Sequence, residues 1–231
     1  MKKTFRFSFS LILIICSISM EAQEADTVKA RPSINAGIEA TGPALYFLDD
    51  SKYNFEGHLS YRLNYKYFLV IEPGYSKYNF EKYNFNYNSR GFFMRLGTDI
   101  GLLEPVAKKI DHFAGIGLRY GISVFNQEAD GIISENYWGV YTSSVPTNRV
   151  HAHFLELQGG VKAEIFNNFL IGWAIKLRTL IYSSGKDEMK PAYIPGMGKT
   201  NSFIIPAVSY YFIYRFPIGP SSDVSASSPE K

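Results

Sequence analysis

The stretch "SYYFIYRF", residues 209–216, places an aromatic side chain on every second position near the end of the chain. Tyr210, Phe212, Tyr214 and Phe216 follow the two-residue period of a β-strand, in which successive side chains point to opposite faces. Such a row would promote aggregation if it were exposed to water. The pattern therefore indicates a strand with one face against an apolar medium, which is either a protein core or a lipid bilayer.

The first 22 residues have the three parts of a secretion signal. A basic start at residues 2–6 is followed by an apolar run at 7–18 and a small-residue exit at 20–22. We predict cleavage after Ala22, because the apolar run is too short to span a bilayer comfortably. A lipoprotein signal built on Cys16 is the alternative, but the bulky residue that precedes this cysteine disfavours it.

Removal of the signal leaves a nearly neutral chain, since the net charge falls from +3 to +1. This charge gives no basis for binding nucleic acid, and we expect no such partner. Cys16 is the sole cysteine of the sequence, so the mature chain has no disulfide and no thiolate metal site. No later apolar stretch reaches the length of about 18 residues that a transmembrane helix needs.

Segments of alternating polarity fill residues 32–216 and predict an all-β protein. The eight expected strands are 32–42, 53–63, 67–80, 83–102, 112–125, 149–166, 169–183 and 202–216. Short turns join some of them, at 64–66 and 167–168, whereas longer loops are expected at 126–148 and 184–201. This alternation in length is typical of an up-and-down barrel in an outer membrane.

We therefore predict an eight-stranded antiparallel up-and-down transmembrane β-barrel with short periplasmic turns and longer extracellular loops. The barrel domain is expected to occupy residues 32–216, after the signal peptide 1–22 and a periplasmic linker at 23–31. Residues 217–231 are Pro/Ser-rich and predict a flexible tail. An interior of eight strands is just filled by side chains, so an open pore is not expected.

One face of each predicted strand is apolar, and the opposite face carries glycine and balanced charge. In the seventh strand, Trp173 and Ile175 alternate with Ala174 and Lys176. Glu39 and Glu56 share the polar faces, and charges enclosed in a lumen need partners because unpaired burial costs several kcal/mol. The predicted lumen charge network consists of Arg62, Glu72, Arg95, Asp99, Arg119, Glu156, Lys162, Glu164, Lys176 and Arg178.

The tetrapeptide "KYNF" occurs at 52–55, 77–80 and 82–85. A two-residue turn at Glu81-Lys82 would pair Tyr78 with Phe85 in a long hairpin, with an aromatic ladder on its inward side. This ladder is either an adhesive surface or a hairpin packed on itself. Together with the aromatic residues of the predicted loop 126–149, the candidate recognition surface is Tyr78, Phe80, Tyr83, Phe85, Tyr87, Tyr137, Trp138 and Tyr141.

His151 and His153 lie two positions apart and could share a metal ion, but the sequence offers no matched third ligand. An interfacial position next to apolar residues is the favoured interpretation. A lipid-modifying enzyme would need a histidine beside a serine or carboxylate at the membrane surface. We predict that the protein is not an enzyme and has no catalytic residue, cofactor or metal site.

Several stretches together resemble a known family: "GLRYGIS" (117–123), "HAHFLELQGGVKAEIFNN" (151–168), "YIPG" (193–196) and the closing aromatic strand. They are similar to an uncharacterised β-barrel family of Bacteroidota, domain of unknown function 6048, over residues 34–216. The resemblance implies a location in the outer membrane and supplies no activity, ligand or catalytic residue. The signal end "EAQ" also resembles exported proteins of that phylum.

The sequence thus predicts a small monomeric barrel in the outer membrane of a Gram-negative bacterium, with a structural role or recognition through extracellular loops. Its expected partners are outer-membrane lipid and the barrel-assembly machinery, because the strand ending at Phe216 resembles a C-terminal assembly signal. The alternatives are a soluble, calycin-like periplasmic barrel that binds an apolar ligand and a lipid-modifying outer-membrane enzyme.

Overall fold

The computed structural model describes residues 32–64, 66–82, 85–103, 112–137, 139–184 and 189–218. The predicted signal peptide and linker, and the tail beyond residue 218, lie outside these ranges. The elements are β1 (Ser33–Glu39), α1 (Thr41–Tyr46), β2 (Lys52–Arg62), β3 (Tyr67–Lys82), β4 (Phe85–Gly101), β5 (Phe113–Asn136), β6 (Gly139–Phe166), β7 (Phe169–Ser183), β8 (Tyr193–Ile194), β9 (Gly198–Lys199) and β10 (Ile205–Pro217). None of the described helical residues forms a helix long and apolar enough to cross a membrane.

The long strands close into an antiparallel barrel in the order β1-β10-β7-β6-β5-β4-β3-β2. The first and last barrel strands close the cylinder, from Ser33↔Pro217 to Glu39↔Tyr211. The predicted eight-stranded up-and-down barrel is confirmed. Short turns at the end where the chain enters and leaves the barrel include 167–168, where Asn168 has a φ of 65°, a conformation that asparagine tolerates.

Residues 126–148 are not a loop, and this part of the sequence prediction is wrong. β5 and β6 continue as a two-stranded ribbon, with paired residues from Gln127↔Asn148 to Asn136↔Gly139 and two register shifts between Gln127 and Ile132. Main-chain hydrogen bonds within the ribbon satisfy the polar backbone groups of both strands. The stretch looked like a loop because most of the ribbon is exposed on both faces and therefore lacks apolar alternation.

The predicted turn of the β3–β4 hairpin is also wrong. Pairing continues to Lys82↔Phe85, so the connection is at 83–84 and not at Glu81-Lys82. Tyr78 consequently pairs with Ser89, and Phe80 with Tyr87.

The apolar faces point outward and the charged faces point inward. On β7 and β10, the outward residues Trp173, Ile175, Val208 and Tyr210 are about half exposed, and corresponding apolar residues stand on the other barrel strands. Inward side chains such as Arg95 are buried. A soluble barrel with an apolar cavity would require the opposite orientation, so the structure does not favour that alternative.

The connection between β7 and β10 folds back into the barrel mouth, and we refer to its described residues 189–204 as the plug. The short β8–β9 hairpin lies within it. Ile194 and Met197 are buried in the lumen, in one apolar cluster with Phe125, Val150, Ala152 and Phe154. Within the predicted loop 184–201, residues 193–197 are thus packed into the interior rather than forming an open loop.

Gly196 is a position at which the plug does not easily accept a side chain. Its φ is +77°, and a Cβ atom there would meet the ring of Phe93. We expect Gly196→Ala to cost about 1–2 kcal/mol from the left-handed backbone alone, which raises the open fraction of the plug about 5- to 30-fold. Faster amide hydrogen exchange in residues 189–204 measures this effect.

Gly159→Ala is the matched control, because a Cβ atom at Gly159 meets no atom within 4 Å. In this variant, amide hydrogen exchange of residues 189–204 should equal that of the wild type. Unchanged exchange in Gly196→Ala would contradict the left-handed backbone and the close packing at this position.

Candidate functional site

The lumen charge network is centred on Arg95, an inward residue of β4. Its guanidinium contacts three carboxylates from three other strands: Glu56 on β2, Glu72 on β3 at 3.2 Å and Glu156 on β6 at 2.6 Å. Arg95 has no exposed surface. A guanidinium suits this position because its five N–H donors can serve several carboxylate oxygens at once.

Lys176 on β7 binds the same carboxylates from the other side of the lumen. Its Nζ lies 3.2 Å from Glu56, 3.9 Å from Glu72 and 4.0 Å from Glu156. Arg178 donates from Nε to Glu156 at 2.6 Å. β2, β3, β4, β6 and β7 are thereby joined across the barrel interior by ion pairs.

A second group extends this network toward the end with the short turns. Arg119 donates to Asp99 at 2.6 Å and Lys162 donates to the other oxygen of Asp99 at 3.2 Å. His58 contacts Glu72 through Nδ1 at 3.0 Å and Lys162 through Nε2 at 3.4 Å. If Lys162 is charged, Nε2 of His58 accepts a hydrogen bond from it and Nδ1–H donates to Glu72.

Two members of the predicted network lie apart from this centre. Glu164 pairs with Arg215 at 3.1 Å and accepts the backbone N–H of Asn168, close to the β6–β7 turn. Arg62 stacks over the ring of Phe68 at 5.2 Å. The other eight predicted residues form the connected network, with Glu56 added to them.

The arrangement fills the lumen rather than lining a channel. Buried charges of both signs alternate within hydrogen-bond distance, which offsets the desolvation that each would otherwise suffer. Among the described residues, no group of three histidine, cysteine or acidic side chains could hold a metal ion. The described residues of the network thus supply paired, buried charges.

The plug covers the network and is bonded to it. Arg178 donates from Nη1 to the carbonyl of Met197 at 3.2 Å, and Gln127 donates to the carbonyl of Met189 at 2.9 Å. The Tyr193 ring stacks on Tyr78 with centroids 4.6 Å apart, and its hydroxyl is 2.9 Å from Ser76. Burial raises the pKa of Tyr193, so the plug carries a neutral hydroxyl at this contact.

The candidate recognition residues separate into two groups. Tyr78 and Tyr87 are buried in one cluster, with Phe80 and Phe85 packed against it. A recognition role does not fit Tyr78 and Tyr87, because the plug covers the face that a partner would contact. Tyr137, 94% exposed, and Tyr141 stand on the β5–β6 ribbon, whereas Tyr83 and Trp138 lie outside the described residues.

His151 and His153 both face outward, at the end of the β6 apolar face that lies next to the ribbon. His153 Nδ1 is 2.9 Å from the hydroxyl of Tyr120, and its ring lies 6.1 Å from that of Tyr182. Ser184 Oγ accepts the backbone N–H of His151 and does not contact its ring in this bond. Ser143 and Ser144, the other serines close in sequence, lie farther along the ribbon.

The sequence did not lead to a prediction that His58, Tyr211 or the plug belongs to the lumen site. His58 and Tyr211 are buried side by side with ring centroids 5.2 Å apart. Counting by two from Glu56 would have placed His58 on the inward face, since Glu56, His58 and Ser60 share one side of β2. No local sequence pattern predicts the plug, because its position depends on contacts with strands that are distant in sequence.

Substitution of Arg95 should have a large effect on stability. Arg95→Met leaves Glu56, Glu72 and Glu156 with one shared cation, and removing one partner of a buried pair costs about 3–5 kcal/mol. Urea unfolding of the refolded protein in neutral phosphatidylcholine vesicles, followed by tryptophan fluorescence, measures the loss.

Arg90→Met is the matched control, because Arg90 lies on the same strand and is exposed; we expect a change within about 0.5 kcal/mol. The double variant Arg95→Met/Glu56→Gln should recover part of the loss, since Glu56 would otherwise share Lys176 with the other two carboxylates as its ion-pair partner. An Arg95→Met protein that unfolds at the urea concentration of the wild type would contradict the central role of this side chain.

Three solved structures are similar to this chain at low sequence identity. CarO of Acinetobacter baumannii shares 10% identity over 80% of this chain and 97% of its own, with a TM-score of 0.39. Ail, the attachment invasion locus protein of Yersinia pestis, shares 10% sequence identity over 82% of this chain and 100% of its own, with a TM-score of 0.40. A major outer membrane protein from Thermus thermophilus shares 12% sequence identity over 80% of this chain and 98% of its own, with a TM-score of 0.41.

No curated protein matches the sequence. A family model, described as Domain of unknown function (DUF6048), matches residues 2–219. Because this match spans nearly the whole chain, the protein belongs to the DUF6048 family.

Proposed function

We propose that the protein is a small outer-membrane β-barrel of a Gram-negative bacterium, with a structural role or recognition through its extracellular hairpins. The observation that carries this proposal is an apolar outer wall around a charged interior. In water, such a wall would be a continuous apolar surface and would cause association. An outward apolar band with aromatic residues at its borders is the pattern of outer-membrane barrels.

The connections support one orientation. The β3–β4 hairpin, the β5–β6 ribbon and the plug lie at one end, which we assign to the extracellular side. The turn at 167–168 and both ends of the barrel domain lie at the other end, with Ser33 paired to Pro217. Short turns are periplasmic in outer-membrane barrels, and longer connections are extracellular.

Under this proposal, two segments of the sequence direct export and assembly. The segment 1–22 serves as the cleaved signal, and its end resembles exported proteins of Bacteroidota. The barrel-assembly machinery recognises β10, whose outward aromatic row ends at Phe216. The barrel acts as a monomer, because its strands close on themselves and leave no barrel edge to pair with another copy.

The filled lumen argues for a role outside the interior. The charge network and the plug occupy the space through which a solute would pass, so the role is not that of a wide pore. The tip of the β5–β6 ribbon offers the exposed side chains Ile133, Tyr137, Val140 and Tyr141. We assign recognition to this tip, and no observation in the described residues favours catalysis.

Localisation and orientation can be tested together. We expect the protein in the outer-membrane fraction, with different migration of unheated and boiled samples in SDS gels because the closed barrel resists detergent. An epitope inserted after Tyr137 should bind antibody on intact cells, whereas one inserted at 167–168 should require permeabilised cells. A periplasmic protein that is soluble without detergent and migrates identically in both samples would contradict the proposal.

Ile175→Arg distinguishes a lipid-facing wall from a water-facing one. Ile175 is outward and lies at the middle of β7, so a positive charge there should cost about 2–4 kcal/mol in a bilayer. The measurement is urea unfolding in phosphatidylcholine vesicles. Tyr141→Arg at the exposed ribbon is the control and should be neutral, and equal stability of both variants would count against insertion.

A further inference from the structure

A row of cations crosses the outer wall at the upper border of its apolar band. The register pairs Lys77 with Arg90, Arg90 with Asn126 and Asn126 with Arg149, across β3, β4, β5 and β6. We refer to these four residues as the cation row. Lys77, Arg90 and Arg149 point outward, because Tyr78, Ser89 and Val150 beside them are buried.

The row lies directly above an aromatic border. Two residues nearer the periplasmic end, the paired row is Tyr75↔Phe92↔Val124↔His151. On β4, the outward face then continues from Phe92 to Ile100, mostly with apolar side chains. Nine residues are about what a tilted strand needs to cross the hydrocarbon, so the cation row falls at the level of the lipid headgroups.

Among the described residues, no ion pair joins the cations of this row to an acid, although Asp50 lines the same surface pocket as Lys77. Glu128 stands on the same wall, two residues above Asn126, but its carboxylate accepts hydrogen bonds from Asn88 at 3.0 Å and from Thr147. Lys77 and Arg90 are directly opposite each other, where like charges destabilise a sheet. A bound anion would remove this repulsion.

We propose that the cation row binds the phosphate groups of a phosphorylated glycolipid in the outer leaflet. This inference rests on the proposed outer-membrane function. Arginine guanidinium groups match phosphate oxygens in bidentate pairs, and the row spans four strands, about 14 Å at the usual strand spacing. The acyl chains of the same lipid would contact the aromatic border and the apolar band below it.

The position of the row favours a lipid over a soluble phosphate. The row is continuous with the apolar wall, so an occupant that has both acyl chains and phosphate contacts both surfaces. The outward residues of β10 from Val208 to Phe216 include no cation. One side of the barrel therefore carries a binding site for an anionic headgroup. On the opposite side, the outward residues of β10 from Val208 to Phe216 present only apolar and aromatic side chains to the bilayer.

The test compares Arg90→Gln/Arg149→Gln with the charge-matched control Lys66→Gln/Lys190→Gln, whose lysines are exposed and lie off the row. Folded protein in neutral detergent is titrated with diphosphorylated lipid A, and bound lipid is counted by native mass spectrometry. We expect the row variant to bind about tenfold more weakly than the wild type, because charge-assisted contacts to phosphate are lost. The control should bind as the wild type does.

Further probes separate the source of the phosphate. Dephosphorylated lipid A and inorganic phosphate should each fail to compete with diphosphorylated lipid A, and phosphatidylglycerol should compete weakly. Equal binding by the row variant and the wild type would overturn the proposal, and so would equal competition by phosphatidylglycerol or by inorganic phosphate. Both variants must keep the heat-dependent gel shift, which confirms that the barrel is folded.

Failure of this inference is distinguishable from failure of the proposed function. A protein that fractionates with the outer membrane, but whose row variant binds lipid A unchanged, would contradict the lipid site alone. A protein found in the soluble periplasm would contradict the proposed function itself, whatever its affinity for lipid A.

Discussion

The contacts of Arg95 are the interaction on which the rest of the barrel depends. Eight strands enclose a lumen too narrow for bulk water, and the outward faces are already committed to apolar residues. Every polar group that points inward must therefore find its partner inside. Arg95 and Lys176 meet this constraint by sharing Glu56, Glu72 and Glu156 between them. The network ties strands that are not neighbours in the sheet and fixes the cross-section of the barrel.

The same constraint explains the plug. Toward the end that carries the plug, the inward residues change from charges to Phe125, Val150 and Phe154, which need apolar contacts rather than counter-ions. Ile194 and Met197 supply these contacts by filling the mouth. The bond from Arg178 to the carbonyl of Met197 joins the two layers. A barrel open to water at this level would expose those rings, so the plug belongs to the core although the chain reaches it through a loop.

Much of the barrel could be predicted because strand alternation is a local signal. Trp173 and Ile175 against Ala174 and Lys176 reveal both the strand and its two faces, and the inward charges follow by counting in twos. The ribbon beyond Gln127 was missed because water surrounds both of its faces and removes that signal. The β3–β4 turn was misplaced since Glu81 and Lys82 look polar enough for a turn, whereas the register depends on pairing along the whole hairpin. The position of the plug depends on contacts with Phe93, Tyr78 and Arg178, which are distant in sequence.

The β5–β6 ribbon also sets a distance. From Asn126, at the level of the cation row, ten further residues of β5 lead to Asn136 at the tip, which is up to about 34 Å at the usual rise of a strand. Near the tip the two strands are paired only with each other, so they form a narrow stalk. In the membrane orientation that we propose, this stalk holds Tyr137 well beyond the level of the cation row.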